Sequence, residues 1–257
     1  MIIRGMNFLI TGGNRGIGLA VAKMAAKKGA HVFIASRSLE PDTEAELKNL
    51  GAASVNLLIC DLADREGVER LVVLMNSLNI DILFNNAGRL TGGLIEDQSL
   101  DEIYSMFQVN LNALVHLTRA AIPGMVKKGR GKIINHASVS AFMHFPCAST
   151  YAASKAAVVA FTNCIESELQ NTGVSTLCLV TPGIKTRMFD EIEVKYSKNF
   201  DVPQDSISPD EYALKIQAAI ENNSKYLLPA GITSIGLWMA RYMNPLFRTV
   251  VQKKFHR

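Results

Sequence analysis

The sequence lacks the features that mark disulfide-rich, metal-binding and membrane-spanning proteins. It has four cysteines in 257 residues, and none of them forms a CxxC pair or stands at zinc-ligand spacing from a histidine. This pattern predicts reduced thiols in a cytoplasmic protein without a metal site. The most apolar late stretch, residues 232–243, is interrupted by Arg241 and is too short to span a bilayer.

The sequence also lacks a strong excess of charge. Its formal net charge of +4 suits an anionic cofactor but is too weak and too scattered to indicate nucleic-acid binding. Met1 leads within a few residues into an apolar run and a glycine-rich loop, which predicts that there is no signal peptide. A hydrophobic content of 48% is enough for a sizeable core, so we expect a single domain over residues 1–257.

Short apolar runs alternate with helical patterns along the chain. The runs lie at residues 7–10, 31–35, 55–60, 80–84, 133–134 and 174–180. The helical segments lie at residues 17–28, 44–50, 65–78, 100–126 and 150–170. Strands that are almost wholly apolar are expected where helices cover both faces of a sheet. The predicted fold class is therefore α/β, a single Rossmann-like three-layer α/β/α domain with a doubly wound parallel sheet.

A glycine-rich loop stands between the first strand and the first helix. Residues 11–18 read TGGNRGIG and place glycines at Gly12, Gly16 and Gly18. Glycines let the backbone approach a pyrophosphate closely, and the following helix N-terminus supplies N–H groups. The strand–loop–helix context predicts dinucleotide binding rather than a plain tight turn.

The spacing of several motifs resembles that of the short-chain dehydrogenase/reductase family. The glycine loop fits TGxxxGxG, residues 85–88 read NNAG, Tyr151 and Lys155 form YxxxK, Ser138 precedes them, and a Pro-Gly pair follows the sixth strand. The resemblance covers about residues 5 to 190. It implies an oxidoreductase that transfers a hydride between a nicotinamide cofactor and a CH–OH or C=O group.

The candidate catalytic residues are Asn110, Ser138, Tyr151 and Lys155. Tyr151 and Lys155 share a helix face, and a nearby ammonium, together with the positive nicotinamide of the oxidised cofactor, favours the phenolate form of a tyrosine whose ordinary pKa is about 10. By resemblance, Tyr151 protonates the carbonyl oxygen, Lys155 also holds the nicotinamide ribose, and Ser138 hydrogen-bonds the substrate oxygen. Asn110 matches an asparagine that supports a water relay; Asn112 is its competitor, and mere helix distortion is the alternative.

The end of the second strand points to the phosphorylated cofactor. An acid that binds the ribose 2′-hydroxyl is usual there in NAD-dependent enzymes, whereas this chain has Ser36 and Arg37, with Arg15 in the glycine loop. Guanidinium groups match a 2′-phosphate, so we expect NADP(H). The alternative is that both arginines are merely solvated. Glu40 comes too late in the chain to be the usual ribose acid.

The resemblance assigns further residues to the cofactor. The predicted contacts are Gly12, Asn14, Arg15, Gly16, Ile17, Gly18, Ser36, Arg37, Asp61, Leu62, Asn86, Ala87, Gly88, Tyr151, Lys155, Pro182, Gly183 and Thr186. Asp61 either contacts the adenine or caps the next helix. Thr186, the candidate contact of the nicotinamide carboxamide, comes one residue earlier than in the family pattern. His136 and His144 flank the site, where packing or pocket lining is expected of them.

Two late segments are candidates for the substrate side. Residues from about 187 to 208 are charged and irregular and correspond to the family's lid, whose Met188, Phe189, Tyr196 and Phe200 either form an apolar wall or simply pack. The C-terminal amphipathic segment, about residues 232–257, mixes apolar and basic residues. It either contacts a membrane peripherally or packs on the core or a partner subunit.

Together these features predict an NADP(H)-dependent reductase of a ketone or aldehyde, or the reverse alcohol oxidation. An apolar substrate is expected, with lipid-like carbonyls among the candidates. The resemblance implies a cytoplasmic homodimer or homotetramer formed through the helices near 100–126 and 150–170. The alternative is a non-catalytic NADP(H)-binding regulator or scaffold of the same fold, against which the four intact catalytic residues argue.

Overall fold

The computed structural model describes residues 1–38, 40, 42–200 and 206–257, without the side chains of residues 192 and 193. The strands of the described chain are β1 (Asn7–Thr11), β2 (His31–Ser36), β3 (Ser54–Ile59), β4 (Ile82–Asn85), β5 (Gly131–His136), β6 (Val174–Leu179) and β7 (Tyr226–Leu227). They form one parallel sheet in the order β3-β2-β1-β4-β5-β6-β7. The predicted fold class is confirmed.

The helices of the described residues cover both faces of this sheet. They are α1 (Gly16–Lys27), α2 (Thr43–Asn49), α3 (Arg65–Leu78), α4 (Leu100–Phe107), α5 (Ala113–Lys128), α6 (Ser149–Glu168), α7 (Arg187–Tyr196), α8 (Pro209–Glu221), α9 (Ile232–Tyr242) and α10 (Asn244–Gln252). In β1, Phe8 and Ile10 pack with α1 and α8, whereas Leu9 packs with α3 and α5. Alternate residues of a central strand therefore enter different apolar layers, which explains why the strand is apolar throughout.

The predicted helix over residues 100–126 is divided in the structure. A π-helical turn, Gln108–Asn112, stands between α4 and α5, and α5 continues to Lys128. Apolar periodicity does not reveal such a turn, because it adds one residue without ending the helix. The turn contains Asn110, one of the candidate catalytic residues.

The expectation that residues 187–208 are irregular is wrong for the first half of the segment. Residues Arg187–Tyr196 form helix α7. Thr186 Oγ1 accepts a hydrogen bond from the Phe189 N–H over 3.4 Å, and Arg187 pairs with Glu191 one turn later at 3.2 Å. Charged residues at helical spacing thus stabilise a helix that lacks an apolar run. Residues 201–205 of the predicted lid lie outside the described residues.

The C-terminal segment forms two short helices that pack over the sheet's C-terminal edge. Phe247 and Val251 of α10 are buried in a cluster with Met143 and Phe200. Phe200 also forms a β-bridge with Phe255, near the chain end. Of the two interpretations of this segment, packing on the core therefore holds for one face of it. No helix in the described part of the chain is long and apolar enough to cross a membrane.

Candidate active site

A cavity of about 830 Å³ opens beyond the carboxyl ends of the strands. Every residue that the resemblance assigns to the cofactor lines this cavity, from Gly12 of the glycine loop to Thr186. The same is true of Ser138, whereas Asn110 lies behind the wall. Residues from seven separate parts of the sequence therefore meet where a doubly wound sheet binds its ligands.

The glycine loop is held in a shape that few other residues could adopt. Gly12 and Gly16 have φ values of 64° and 54°, in the left-handed region. A side chain at Gly18 would overlap the carbonyl oxygen of Gly12. At the N-terminus of α1, within the part of the chain that the structure describes, the N-cap Arg15 makes no side-chain capping hydrogen bond, so the first N–H groups of the helix lie uncapped at the cavity. The loop fits the pyrophosphate of a dinucleotide.

The end of β2 is tied to the glycine loop through Ser38. Ser36 Oγ donates a hydrogen bond to the Ser38 carbonyl over 2.7 Å, and Asn14 Nδ2 donates to the same oxygen over 3.1 Å. Arg15 and Arg37 are exposed at the cavity and pair with no carboxylate within the described residues. Glu40 also lines the cavity, so its later place in the sequence does not remove it from this region.

The structure excludes one of the two roles considered for Asp61. Asp64, not Asp61, caps α3, because its carboxylate accepts the N–H groups of Glu66 and Gly67 over 3.1 and 3.0 Å. The Asp61 carboxylate accepts the N–H of Ala63 over 2.9 Å, and Asp61 lines the cavity. The capping alternative for Asp61 is therefore wrong.

Asn86 connects the glycine loop to the end of β5, which Ser138 follows two residues later. Its Nδ2 donates to the carbonyls of Thr11 and Gly12 over 2.9 and 3.2 Å. Its Oδ1 lies 3.1 Å from Nδ1 of His136, which must donate because an amide oxygen can only accept. Burial, with the charge of Lys155, lowers the pKa of His136 to about 3. His136 is thus a neutral lining residue, while His144 is exposed and lies outside the cavity wall.

Tyr151 and Lys155 lie on α6 and face the cavity together. Burial raises the pKa of Tyr151 to about 12, and the Ser138 hydroxyl partly opposes that shift. Lys155 Nζ is 5.7 Å from the centre of the Tyr151 ring and donates to the His136 carbonyl over 2.8 Å. Burial lowers the pKa of Lys155 to about 8. Burial of Tyr151 among the protein groups therefore favours its neutral hydroxyl.

Asn110 is fixed behind Gly88 by hydrogen bonds that use both of its side-chain polar atoms. Its Oδ1 accepts the Arg89 N–H over 2.8 Å, and its Nδ2 donates to the Arg89 carbonyl and Ser154 Oγ over 3.0 and 3.1 Å. Asn112 is exposed and donates to Gln108. Of the two asparagines, only Asn110 is buried beside the site.

The far end of the cavity is apolar. The predicted wall residues Met188, Phe189, Tyr196 and Phe200 all line it. Lining residues that the sequence did not indicate are Arg89, Met143, Phe145, Ile232, Thr233, Gly236, Phe247, Val250, Val251 and Lys254. Seven of these ten residues come from the C-terminal segment. The i, i+4 spacing of Phe247 and Val251 is the sequence feature that could have indicated a buried helix face there.

The wall is closed on the α7 side by a tyrosine. Tyr196 is 4% exposed, its hydroxyl donates to the Thr91 carbonyl over 3.4 Å, and its ring occupies the space beside Gly92 that any side chain would fill. Lys195 pairs with Glu102 at 3.6 Å. Helix α7 is therefore held against the segment that follows β4.

Comparison with known proteins agrees with this geometry. Residues 7–197 match the family model described as short chain dehydrogenase. The chain is 32% identical over 231 residues to a fatty acyl-CoA reductase of Acinetobacter baylyi, covering 87% of this chain and 75% of that protein.

Two solved structures show the same fold. One is a short-chain dehydrogenase from Sphingobium yanoikuyae in complex with NADPH, with a TM-score of 0.83 at 22% identity. The match covers 98% of this chain and 97% of that protein. A proposed NAD(P)-dependent gluconate 5-dehydrogenase from Beutenbergia cavernae, with NADP bound at low occupancy, has a TM-score of 0.77 at 27% identity, with coverages of 88% and 94%.

Proposed function

The chain belongs to the short-chain dehydrogenase family of oxidoreductases, and from that premise we propose that it is an NADP(H)-dependent enzyme that reduces a ketone or aldehyde or oxidises the matching alcohol. The observation that carries the proposal is the single cavity in which Ser138, Tyr151 and Lys155 meet the glycine loop. In this proposal Tyr151 is the general acid and base.

The glycine loop and the end of β2 would hold the cofactor. The free N–H groups at the start of α1 suit the pyrophosphate, and Arg15 and Arg37 suit a 2′-phosphate. Asp61 and Leu62 lie where the adenine would contact the end of β3. NADP in two solved relatives of the same fold supports the choice of cofactor. When bound, the nicotinamide supplies or accepts the hydride.

Tyr151 would deliver the proton to the carbonyl oxygen of the substrate. Its raised pKa keeps the hydroxyl protonated at neutral pH, which is the state that a proton donor needs. The Ser138 hydroxyl would donate a second hydrogen bond to the same oxygen and stabilise its developing negative charge. Lys155 would hold the nicotinamide ribose, with Asn110 behind it.

The substrate class follows from the walls of the cavity. The end beyond Tyr151 is formed by apolar and aromatic side chains, including Met143, Phe145, Phe200 and Phe247. We therefore propose an apolar carbonyl compound, and long-chain aldehydes and ketones are the first candidates. Similarity to a fatty acyl-CoA reductase supports a lipid-like substrate.

We further propose a cytoplasmic homodimer or homotetramer. An apolar groove between α5 and α6 is lined by Leu111, Val115, Ala157 and Phe161, and it supports self-association through these helices. The four cysteines are unpaired, which is compatible with a reducing compartment.

The test is NADPH oxidation followed by absorbance at about 340 nm across short, cyclic and long-chain carbonyls. We expect turnover that favours apolar substrates and that falls by about 10²–10⁴-fold in Tyr151→Phe, because the general acid is lost. The Tyr151→Phe variant should still bind NADPH.

Tyr104→Phe is the matched control. It also removes a tyrosine hydroxyl, but Tyr104 is exposed on α4 and is not part of the cavity wall. Binding of NADPH without turnover of any carbonyl would favour the non-catalytic regulator instead.

A further inference from the structure

Helix α9 exposes an apolar stripe that the described part of the chain leaves open to solvent. Its members Ile232, Ile235, Trp238 and Tyr242 recur at helical spacing and are 79%, 61%, 54% and 67% exposed. Exposed large apolar side chains are normal when they are scattered singly, but a continuous row of four is not.

The row continues onto the next helix. Leu246 and Val250 of α10 are each 47% exposed, while Phe247 and Val251 on its other face are buried. Helices α9 and α10 pack on each other. We call the six residues Ile232, Ile235, Trp238, Tyr242, Leu246 and Val250 the C-terminal apolar surface.

The excess of positive over negative side chains lies in the same segment. Residues 232–257 contain five cations, Arg241, Arg248, Lys253, Lys254 and Arg257, and no acid. The first 231 residues hold 22 Lys and Arg against 23 Asp and Glu, so they are nearly neutral. In the described structure Arg257 pairs with Glu96, and the other four cations have no carboxylate partner.

Apolar residues with unpaired cations beside them fit one kind of partner. Amphipathic helices that bind in the plane of a membrane place Trp, Phe and Leu in the interface and Lys and Arg toward anionic headgroups. Trp238 and Tyr242 contact each other, with ring centres 5.9 Å apart, and are the residue types enriched at membrane interfaces. A protein partner would need carboxylates at four positions and an apolar groove, whereas an anionic bilayer supplies both properties without specific placement.

The C-terminal apolar surface also adjoins the cavity. Ile232 and Val250 belong to the exposed row and to the cavity wall, which places them at its mouth. Lys254 lines the cavity as well. A surface that rests on a bilayer through these residues would open the apolar end of the cavity toward the lipid phase.

We infer that α9 and α10 dock the protein on an anionic phospholipid bilayer and admit an apolar substrate to the cavity from the lipid. The docking depends only on the C-terminal apolar surface and its cations. The delivery of substrate rests on the proposed function, so the two are tested by separate measurements.

Flotation of the full chain with phospholipid vesicles tests the docking. We expect the protein to float with vesicles that contain about 30 mol% phosphatidylglycerol and to stay at the bottom with pure phosphatidylcholine. Trp238 is the only tryptophan in the chain, so its emission should shift to the blue with the anionic vesicles alone. Added salt should weaken the binding.

Two double variants separate the contributions of charge and apolar contact. R248E/K253E should weaken binding to anionic vesicles by about tenfold or more, whereas K27E/K127E, with the same net charge change on exposed lysines elsewhere, should leave it intact. W238S/Y242S should also lose binding, whereas L100S/Y104S, which alters exposed apolar residues at the same i, i+4 spacing on α4, should not.

Three results would overturn the docking: no flotation with anionic vesicles, equal loss in the control variants, or a dimer in light scattering that W238S/Y242S converts to monomer. The last would make the surface a contact between copies of this chain. Turnover of a short water-soluble carbonyl in the absence of vesicles measures the proposed function independently. Faster turnover of a long-chain carbonyl presented in anionic vesicles, lost in R248E/K253E, is expected if delivery occurs.

Discussion

The two ends of the cavity are built by different means. The end proposed for the cofactor, which we call the cofactor end, is shaped mainly by main chain: glycines at positive φ, helix N–H groups, and the Thr11 and Gly12 carbonyls to which Asn86 donates. The substrate end is made of apolar side chains from α7, α9 and α10. Main-chain geometry tolerates few substitutions, whereas a wall of side chains can change without loss of the fold. We therefore expect the same cavity to respond very differently to changes at its two ends.

Gly18→Ala should have the largest effect, because it changes the cofactor end directly. The new Cβ would overlap the Gly12 carbonyl oxygen, which cannot move without displacing the loop. We expect NADPH binding to fall by more than about 100-fold and the free energy of unfolding to drop by about 1–3 kcal/mol. Isothermal titration calorimetry and urea denaturation measure the two quantities.

Gly124→Ala is the control for that substitution. Gly124 lies within α5, where a Cβ would meet nothing within 4 Å. It should therefore stabilise the protein by about 0.5–1 kcal/mol and leave NADPH binding unchanged. Equal effects of the two substitutions would contradict the assignment of the Gly18→Ala effect to the overlap with Gly12.

The arginines at the cofactor end should decide between the two nicotinamide cofactors. Arg15→Ala and Arg37→Ala should each weaken NADPH binding by about 10–100-fold, because a charge-assisted hydrogen bond contributes about 1.5–3 kcal/mol. The affinity for NADH should stay the same. The dissociation constants are measured by nicotinamide fluorescence.

Arg187→Ala is the matched control, since Arg187 also lines the cavity but lies on α7 and pairs with Glu191. If wild-type protein binds NADH as tightly as NADPH, the assignment of the 2′-phosphate to Arg15 and Arg37 is wrong.

Lys155 should reduce stability at neutral pH, because the folded protein buries its charge. Its pKa falls from 10.5 to about 8 on folding. The free-energy cost of burying the charged ammonium is therefore fully present below pH 8 and disappears as the pH rises toward 10.5. Lys155→Met should raise the free energy of unfolding at pH 7 by on the order of 2 kcal/mol. Urea denaturation at several pH values should show this gain shrinking between pH 8 and 10.

The exposed Lys27 supplies the comparison, and Lys27→Met should change stability little at either pH. A gain in Lys155→Met that stayed constant across this range would contradict the assignment of the shifted pKa to Lys155.

The smallest effect should come from the substrate end. Phe247 is buried in the cavity wall, and its ring lies 6.2 Å from that of Phe145. Phe247→Leu should raise the KM for an apolar carbonyl several-fold, because such an aromatic pair contributes about 0.5–1.5 kcal/mol. NADPH binding should not change. Steady-state kinetics measure the KM. Phe161→Leu changes the groove outside the cavity, so it should leave both the KM for the carbonyl and the binding of NADPH unchanged.

Short sequence motifs indicate residues at the proposed cofactor end more directly than residues at the proposed substrate end, for the same physical reason. Loop glycines such as Gly12 and Gly18 are required by local backbone geometry, which a short motif records. Tyr151 and Lys155 likewise share a face through spacing on one helix. Phe145, Phe247 and the other far-wall residues meet only through tertiary packing, so no local pattern places them together.

Two further differences have local causes that periodicity does not capture. Helix α7 mixes apolar and charged residues without an uninterrupted apolar run and is stabilised by contacts such as Arg187 with Glu191, so periodicity alone predicts an irregular segment there. Asp61 and Asp64 both precede α3, and apolar periodicity does not show that Asp64, three residues later, is its cap. Strand and helix positions elsewhere agreed within a few residues, as apolar runs buried on both faces allow.

The π-helical turn at Gln108–Asn112 also sets how far α5 is rotated about the helix axis relative to α4. Before it, α4 has an ordinary helical phase; after it, every residue of α5 is displaced by about 100° around the axis relative to an unbroken helix. Asn110 faces Arg89 and Ser154 on the inside, and Val115 faces the outer groove. Deleting one residue in this turn would rotate both surfaces at once, so the interior of the site and the outer contact face of α5 can change register only together.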